Sequence, residues 1–161
     1  MIQRIQTVYL AGVVILCSLM FVFPFGEIQA SASTYVLDAL GLHHHENGSV
    51  TEMLTTLQKL IITLLVIVVL VVALISVFMF RKRSTQIILC KLNILLLAGL
   101  IFTVSYYLDN GLSMIAAFAP EAEVNYKVGI AFPMASIILT FLASRAIKKD
   151  EELVRAVDRV R

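Results

Sequence analysis

His43, His44, His45 and Glu46 form the one cluster whose residue types suit a metal. Three adjacent histidines do not all point at one ion from a strand or helix, because neighbouring side chains diverge. The usual zinc spacings are absent. The cluster therefore reads as a solvated loop tip with adventitious metal affinity, and neither metal nor cofactor is expected. Cys17 and Cys90 lie in or beside apolar stretches and read as free thiols, not a disulfide. No Ser-His-Asp or Cys-His set can be assembled, since the histidines share one loop and the cysteines sit in apolar stretches. The seven glycines are scattered and build no phosphate-cradling loop. Asn47-Gly48-Ser49 fits a glycosylation triplet but is first of all a turn. No apolar stretch carries a central carboxylate, which counts against a proton-coupled transporter. The chain is not expected to be an enzyme.

The elements that would carry any site are membrane spans. The chain has 161 residues, is 60% hydrophobic and has a mean hydropathy of +0.93, too apolar for a soluble domain of this size. Residues 60–80 contain no ionisable group and end at Arg81-Lys82-Arg83. As a helix that stretch is about 31 Å long, the thickness of a bilayer's hydrocarbon core. Three further spans are expected at 8–25, 87–108 and 126–144. In the first, Pro24 suits a helix end at the interface. Arg4, the apolar run and Ala30-Ser31-Ala32 also resemble a cleaved signal, but the run exceeds the usual signal core, and a retained helix is the reading taken. In the third, Lys91 can snorkel to the basic face, Asn93 is the strongly polar neutral residue, and Tyr106 and Tyr107 suit the opposite interface. Asn93 is expected to bond a neighbouring helix. In the fourth, Gly129, Pro133, Ser136, Thr140 and Ser144 recur at three- and four-residue spacing, a small-residue face for close helix packing. Pro133 is expected to bend that helix.

Loops of 26–59 and 109–125 join these spans on one side, and a connection of 81–86 on the other. Residues 31–42 alternate enough for a strand pairing across a turn at 43–48, or for one turn of interfacial helix. Residues 51–58 read as a helical lead-in capped by Thr51. Asp109-Asn110-Gly111 reads as a turn.

Charge fixes the expected orientation. Eleven of the 13 lysines and arginines fall on one side: Arg4, then Arg81, Lys82, Arg83 and Lys91, then Arg145, Lys148, Lys149, Arg155, Arg159 and Arg161. Lys59 and Lys127 lie on the other, with seven of the 11 acids. By the positive-inside rule both termini are cytoplasmic. That bias already accounts for the basic face, so nucleic acid is not expected as a partner.

The tail, 145–161, carries Lys148/Glu152 and Glu151/Arg155 pairs four apart and a narrow apolar side of Leu153, Val154, Val157 and Val160. It reads either as a solvated continuation of the fourth helix near anionic headgroups or as a docking helix for a cytoplasmic partner. The opening MIQRIQTVYL, the RKR connection followed by QIILCKLNILLL, and the ending LASRAIKKDEELVRAVDRVR together resemble a family of uncharacterised four-helix membrane proteins of Bacteroidota, a domain of unknown function. In that family the ending usually has Asn at Ser144 and Ser at Ala156. The resemblance implies topology and no chemistry. The matching positions are Gln3, Arg4, Gln6, Arg145, Lys149, Asp150, Glu151, Leu153, Arg155, Asp158 and Arg159, a candidate cytoplasmic interaction surface.

The expected fold is all-α: one membrane domain over 1–161, a four transmembrane helix bundle with a short exoplasmic loop element and a cytoplasmic C-terminal helical extension. The expected place is a bacterial inner membrane. The expected partners are the bilayer, with anionic headgroups at the cytoplasmic face, and a protein partner or further copies of the chain. A non-enzymatic interaction or scaffold subunit is the leading function, and a small oligomeric channel or transporter the alternative.

Overall fold

A computed structural model describes residues 5–30, 33–46, 49–52, 56–79, 82–117 and 119–160. Among them are four helices: α1 (Ile5–Leu19), α2 (Thr56–Phe78), α3 (Arg83–Ala116) and α4 (Ala131–Val160). Each packs against two others, in the cyclic order α1-α2-α3-α4, so the helices form a bundle. α2, α3 and α4 are long and apolar enough to cross a membrane; α1, at 15 residues, is shorter.

The buried residues of every helix recur at alternating four- and three-residue steps. They are Leu10, Val13, Cys17 and Met20 in α1 and just beyond it, and Ile62, Val66, Val69 and Ala73 in α2. In α3 they are Cys90, Asn93, Leu97, Leu100 and Val104, and in α4 Ser136, Thr140, Ala143 and Ile147. This is the seam of knobs-into-holes bundle packing. The seam is mostly apolar but also holds polar side chains: Gln6, Ser76, Gln86, Asn93, Ser136 and Thr140 are buried, while Leu64, Leu95, Phe102 and Phe141 are exposed on the outside. Large apolar residues on the outside with polar side chains between the helices suit helices packed in lipid.

The expected all-α class needs correction. One end of the bundle bears a five-stranded antiparallel sheet in the order β4-β3-β2-β1-β5. The strands are β1 (Gly26–Ala30), β2 (Ser33–Asp38), β3 (Gly41–Glu46), β4 (Ser49–Glu52) and β5 (Glu123–Tyr126). β1–β4 form a meander, and β5 arrives from the α3–α4 connection to pair with β1, Ile28 opposite Val124. Asp38 sets the β2–β3 turn: its Oδ1 accepts the Leu40 and Gly41 amides at 2.7 and 3.0 Å. Gly41 has φ +133°, open to glycine and few others. The histidines therefore lie in strand β3, not at a loop tip, and His43 Nε2 stands 3.4 Å from Asp38 Oδ1. Thr51 is in β4, and α2 starts at Thr56.

The sheet is seated on α3. This helix has 34 residues, about 51 Å, and runs through Asp109-Asn110-Gly111 where a turn is expected. Inside the helix, Asn110 Nδ2 donates to the Tyr106 carbonyl at 2.9 Å and Ser113 Oγ to the Asn110 carbonyl at 2.7 Å. Gly111 leaves room for Ile28 and Leu42 of the sheet, and Ile115 is buried beyond it. Burial of Ile28 and Leu42 against this extension outweighs a local turn preference. Tyr106 is exposed, but Tyr107 is buried. Thr63 Oγ1 donates to the Ala39 carbonyl at 2.8 Å and ties the β2–β3 turn to α2.

Candidate functional site

At the end opposite the sheet, α2 meets α3 through a tight connection and the far half of α4 runs past it. The Lys82 amide donates to the Met79 carbonyl at 3.0 Å, and the Gln86 amide to the Lys82 carbonyl at 3.0 Å. Arg83 then reaches α4. Its guanidinium donates to the Asp150 carbonyl at 3.1 Å and stands 3.8 Å from the Asp150 carboxylate. Ser84 Oγ donates to Glu151 Oε1 at 3.5 Å. Asp150 and Glu151, two of the candidate interaction residues, are thus turned toward the chain's own α2–α3 connection.

Gln6 is 9% exposed and lies one step before Leu10 on the α1 seam. Arg145 and Lys149 are exposed. Gln3 and Arg4 lie outside the described residues. Leu153, Arg155, Asp158 and Arg159 continue the α4 backbone, and their side chains lie outside the described residues.

Between α3 and α4 at this end opens a groove of about 400 Å³, lined by Ile87, Lys91, Ser144, Lys148, Glu151 and Glu152. Ser144 belongs to this groove, while Ala143 takes the fully buried seam position beside it. The small-residue face of α4 otherwise lies inward, with Gly129, Pro133, Ser136 and Thr140 buried. Pro133 falls in the first turn of α4, after a 3-10 turn at Val128–Ile130, where its missing N–H removes no bond from the helix interior. The local bend expected at Pro133 has no cause there.

Within the bundle, polar side chains follow the seam inward from the basic end. Gln86 Nε2 donates to the Ser76 carbonyl at 2.9 Å, and Ser76 Oγ to the Val72 carbonyl at 2.8 Å. Leu10, Cys90 and Ala143 pack together one step deeper. Asn93 and Thr140 each lie three residues further along their helices. Ser136 follows, its hydroxyl beside the Cys17 thiol yet without a hydrogen bond of ordinary geometry. Among the described residues, Gln6 Oε1, Gln86 Oε1, Asn93 Oδ1 and Ser136 Oγ are buried without partners. Asn93 Oδ1 thus lacks the interhelical bond expected of it. Next along come Met20, Leu100 and Pro133, so the polar column ends in an apolar layer before the sheet.

Sequence reasoning missed Ser84 and Gln86 and took Lys91 only as a snorkelling residue. The four-three spacing of Gln86, Cys90 and Asn93 was the available signal for Gln86, the buried one of the two; the Arg83–Asp150 contact spans 67 positions and leaves no local trace.

The architecture defines a sheet-capped four-helix bundle with an apolar exterior and a few polar side chains in its seam. The chain belongs to the family described as Domain of unknown function (DUF4293), whose model matches residues 2–160. A comparison with curated proteins finds no match.

Proposed function

We propose that this chain is a multi-pass protein of a bacterial inner membrane, with both termini cytoplasmic, that acts as a non-enzymatic interaction or scaffold subunit through its basic end. One observation carries the reading: Arg83, Lys91, Arg145, Lys148 and Lys149 gather at the end opposite the sheet, where α3 begins and α4 finishes. Cations collect on the cytoplasmic side and draw anionic headgroups to it. The Arg83–Asp150 contact adds a reason for α4 to run on beyond the apolar part as an ordered arm. The test is a mild-detergent pull-down of the full chain against the double variant Arg145→Glu, Lys149→Glu, both positions exposed. The pair spares Ile147 in the core and the Arg83–Asp150 contact. Loss of the co-purifying proteins is expected; recovery of the same proteins from the double variant overturns the reading.

A second reading, a small channel or transporter, is favoured by the buried polar column. Its weakness is the apolar layer at Met20, Leu100 and Pro133. Solute flux into liposomes above that of empty vesicles would favour it over the first.

A further inference from the structure

We propose that the α3–α4 groove is a binding site for the headgroup of a zwitterionic aminophospholipid, a phosphoethanolamine group held at the membrane surface. The proposal rests on membrane insertion as read above.

The groove's chemistry has two halves. Ile87 and Lys91 are one turn apart on α3, and Ser144 and Lys148 one turn apart on α4. The helices are antiparallel neighbours, and the Arg83–Asp150 contact sets their register. Lys91 and Ser144 thus lie deeper, and Lys148, Glu151 and Glu152 nearer the end. Two ammonium groups and a hydroxyl suit one phosphate. Glu151 and Glu152 at the outer edge suit a primary ammonium. Among the described residues Lys148 and Glu152 form no ion pair with each other, although they are four apart on a helix. The carboxylates oppose a purely anionic headgroup, and a quaternary ammonium has no N–H to donate to them. A headgroup with both a phosphate and an N–H-bearing ammonium matches the whole lining.

Depth agrees with this. Lys91 stands near the start of the apolar part of α3, where headgroups meet hydrocarbon, and basic pockets between helices at that level hold headgroups. The exposed Ile88, Leu95 and Phe141 on the same two helices offer apolar surface to acyl chains.

The test is native mass spectrometry of the full chain, purified from membranes and exchanged against equal amounts of phosphatidylethanolamine, phosphatidylglycerol and phosphatidylcholine. Retention of the ethanolamine lipid above both others is expected. Lys91→Ala and Lys148→Ala should each reduce it about five-fold, the worth of one cation near a charged surface. Glu152→Gln should abolish the preference over phosphatidylglycerol while sparing binding to that lipid. Lys91→Arg should keep binding, and native resistance of Cys17 and Cys90 to maleimide certifies that each variant is folded. Equal retention of all three lipids, or no effect of the lysine variants, overturns the proposal. Competition by soluble phosphoethanolamine at the lipid's own concentration would overturn the lipid as the source of the headgroup. Recovery of the wild-type chain in the soluble fraction would overturn the membrane reading as well; a membrane-bound chain without headgroup preference overturns this inference alone.

Discussion

The Gly129 amide donates to the Pro24 carbonyl at 3.0 Å, and this contact joins the chain after α1 to the start of α4. A Cβ on Gly129 would overlap the Pro24 carbonyl oxygen and stand 2.8 Å from that of Phe23. Both obstacles are backbone, so neither can swing aside. Gly129→Ala should therefore destabilise the fold by about 3 kcal/mol. Thermal unfolding in detergent, followed by a thiol-reactive dye, reads this directly because Cys17 and Cys90 are buried and are the chain's two cysteines. An unchanged midpoint would contradict the close approach.

The same thiols give a second expectation. Both are free, and each is 0% exposed. A bulky maleimide should leave the native chain unmodified and add two labels in SDS. Labelling of Cys90 in the native state would mean that the packing of Leu10, Cys90 and Ala143 is wrong.

The Arg83–Asp150 pair is about one-third exposed on both sides, so its contribution to stability is under about 1 kcal/mol. Its effect is local. Arg83→Ala should leave the thermal midpoint nearly unchanged but raise tryptic cleavage at Lys148 and Lys149 by about two- to five-fold, as the end of α4 opens more often. Unaltered cleavage would show that α4 is held there by other contacts.

Asn93 and Ser136 carry buried oxygens without partners, and such groups cost stability. Asn93→Leu and Ser136→Ala should each be neutral or stabilising by about 1 kcal/mol in the same dye assay. A clear loss in both would mean that the column holds ordered water or a solute, and would shift weight to the transport reading.

The bundle was legible because apolar length is a one-dimensional signal, and residues 60–80 carry it without interruption. That Ser136 and Thr140 share one side of α4 was legible as well, from their four-residue spacing. The sheet was not. β5 pairs with β1 across almost 100 positions, and the cover for the sheet is an extension of α3 that local turn residues disguise. Asp109-Asn110-Gly111 signals a turn in isolation; Gly111 is there instead to admit Ile28. At the basic end, charge count located the face but not its internal ties. Asp150 and Glu151 look like surface signature until Arg83 and Ser84 are seen to engage them, and Gln6 looks polar and exposed until the seam buries it.

The central claim is that the basic end faces the cytoplasm and the sheet faces away. It is tested most directly by cysteine labelling in intact spheroplasts, using a chain with Cys17→Ala and Cys90→Ala and a single new thiol at an exposed position. Asn125→Cys, in β5, should react with an impermeant maleimide before lysis, and Lys149→Cys, in α4, only after it. Labelling of Lys149→Cys in intact spheroplasts, with Asn125→Cys protected, would contradict the account.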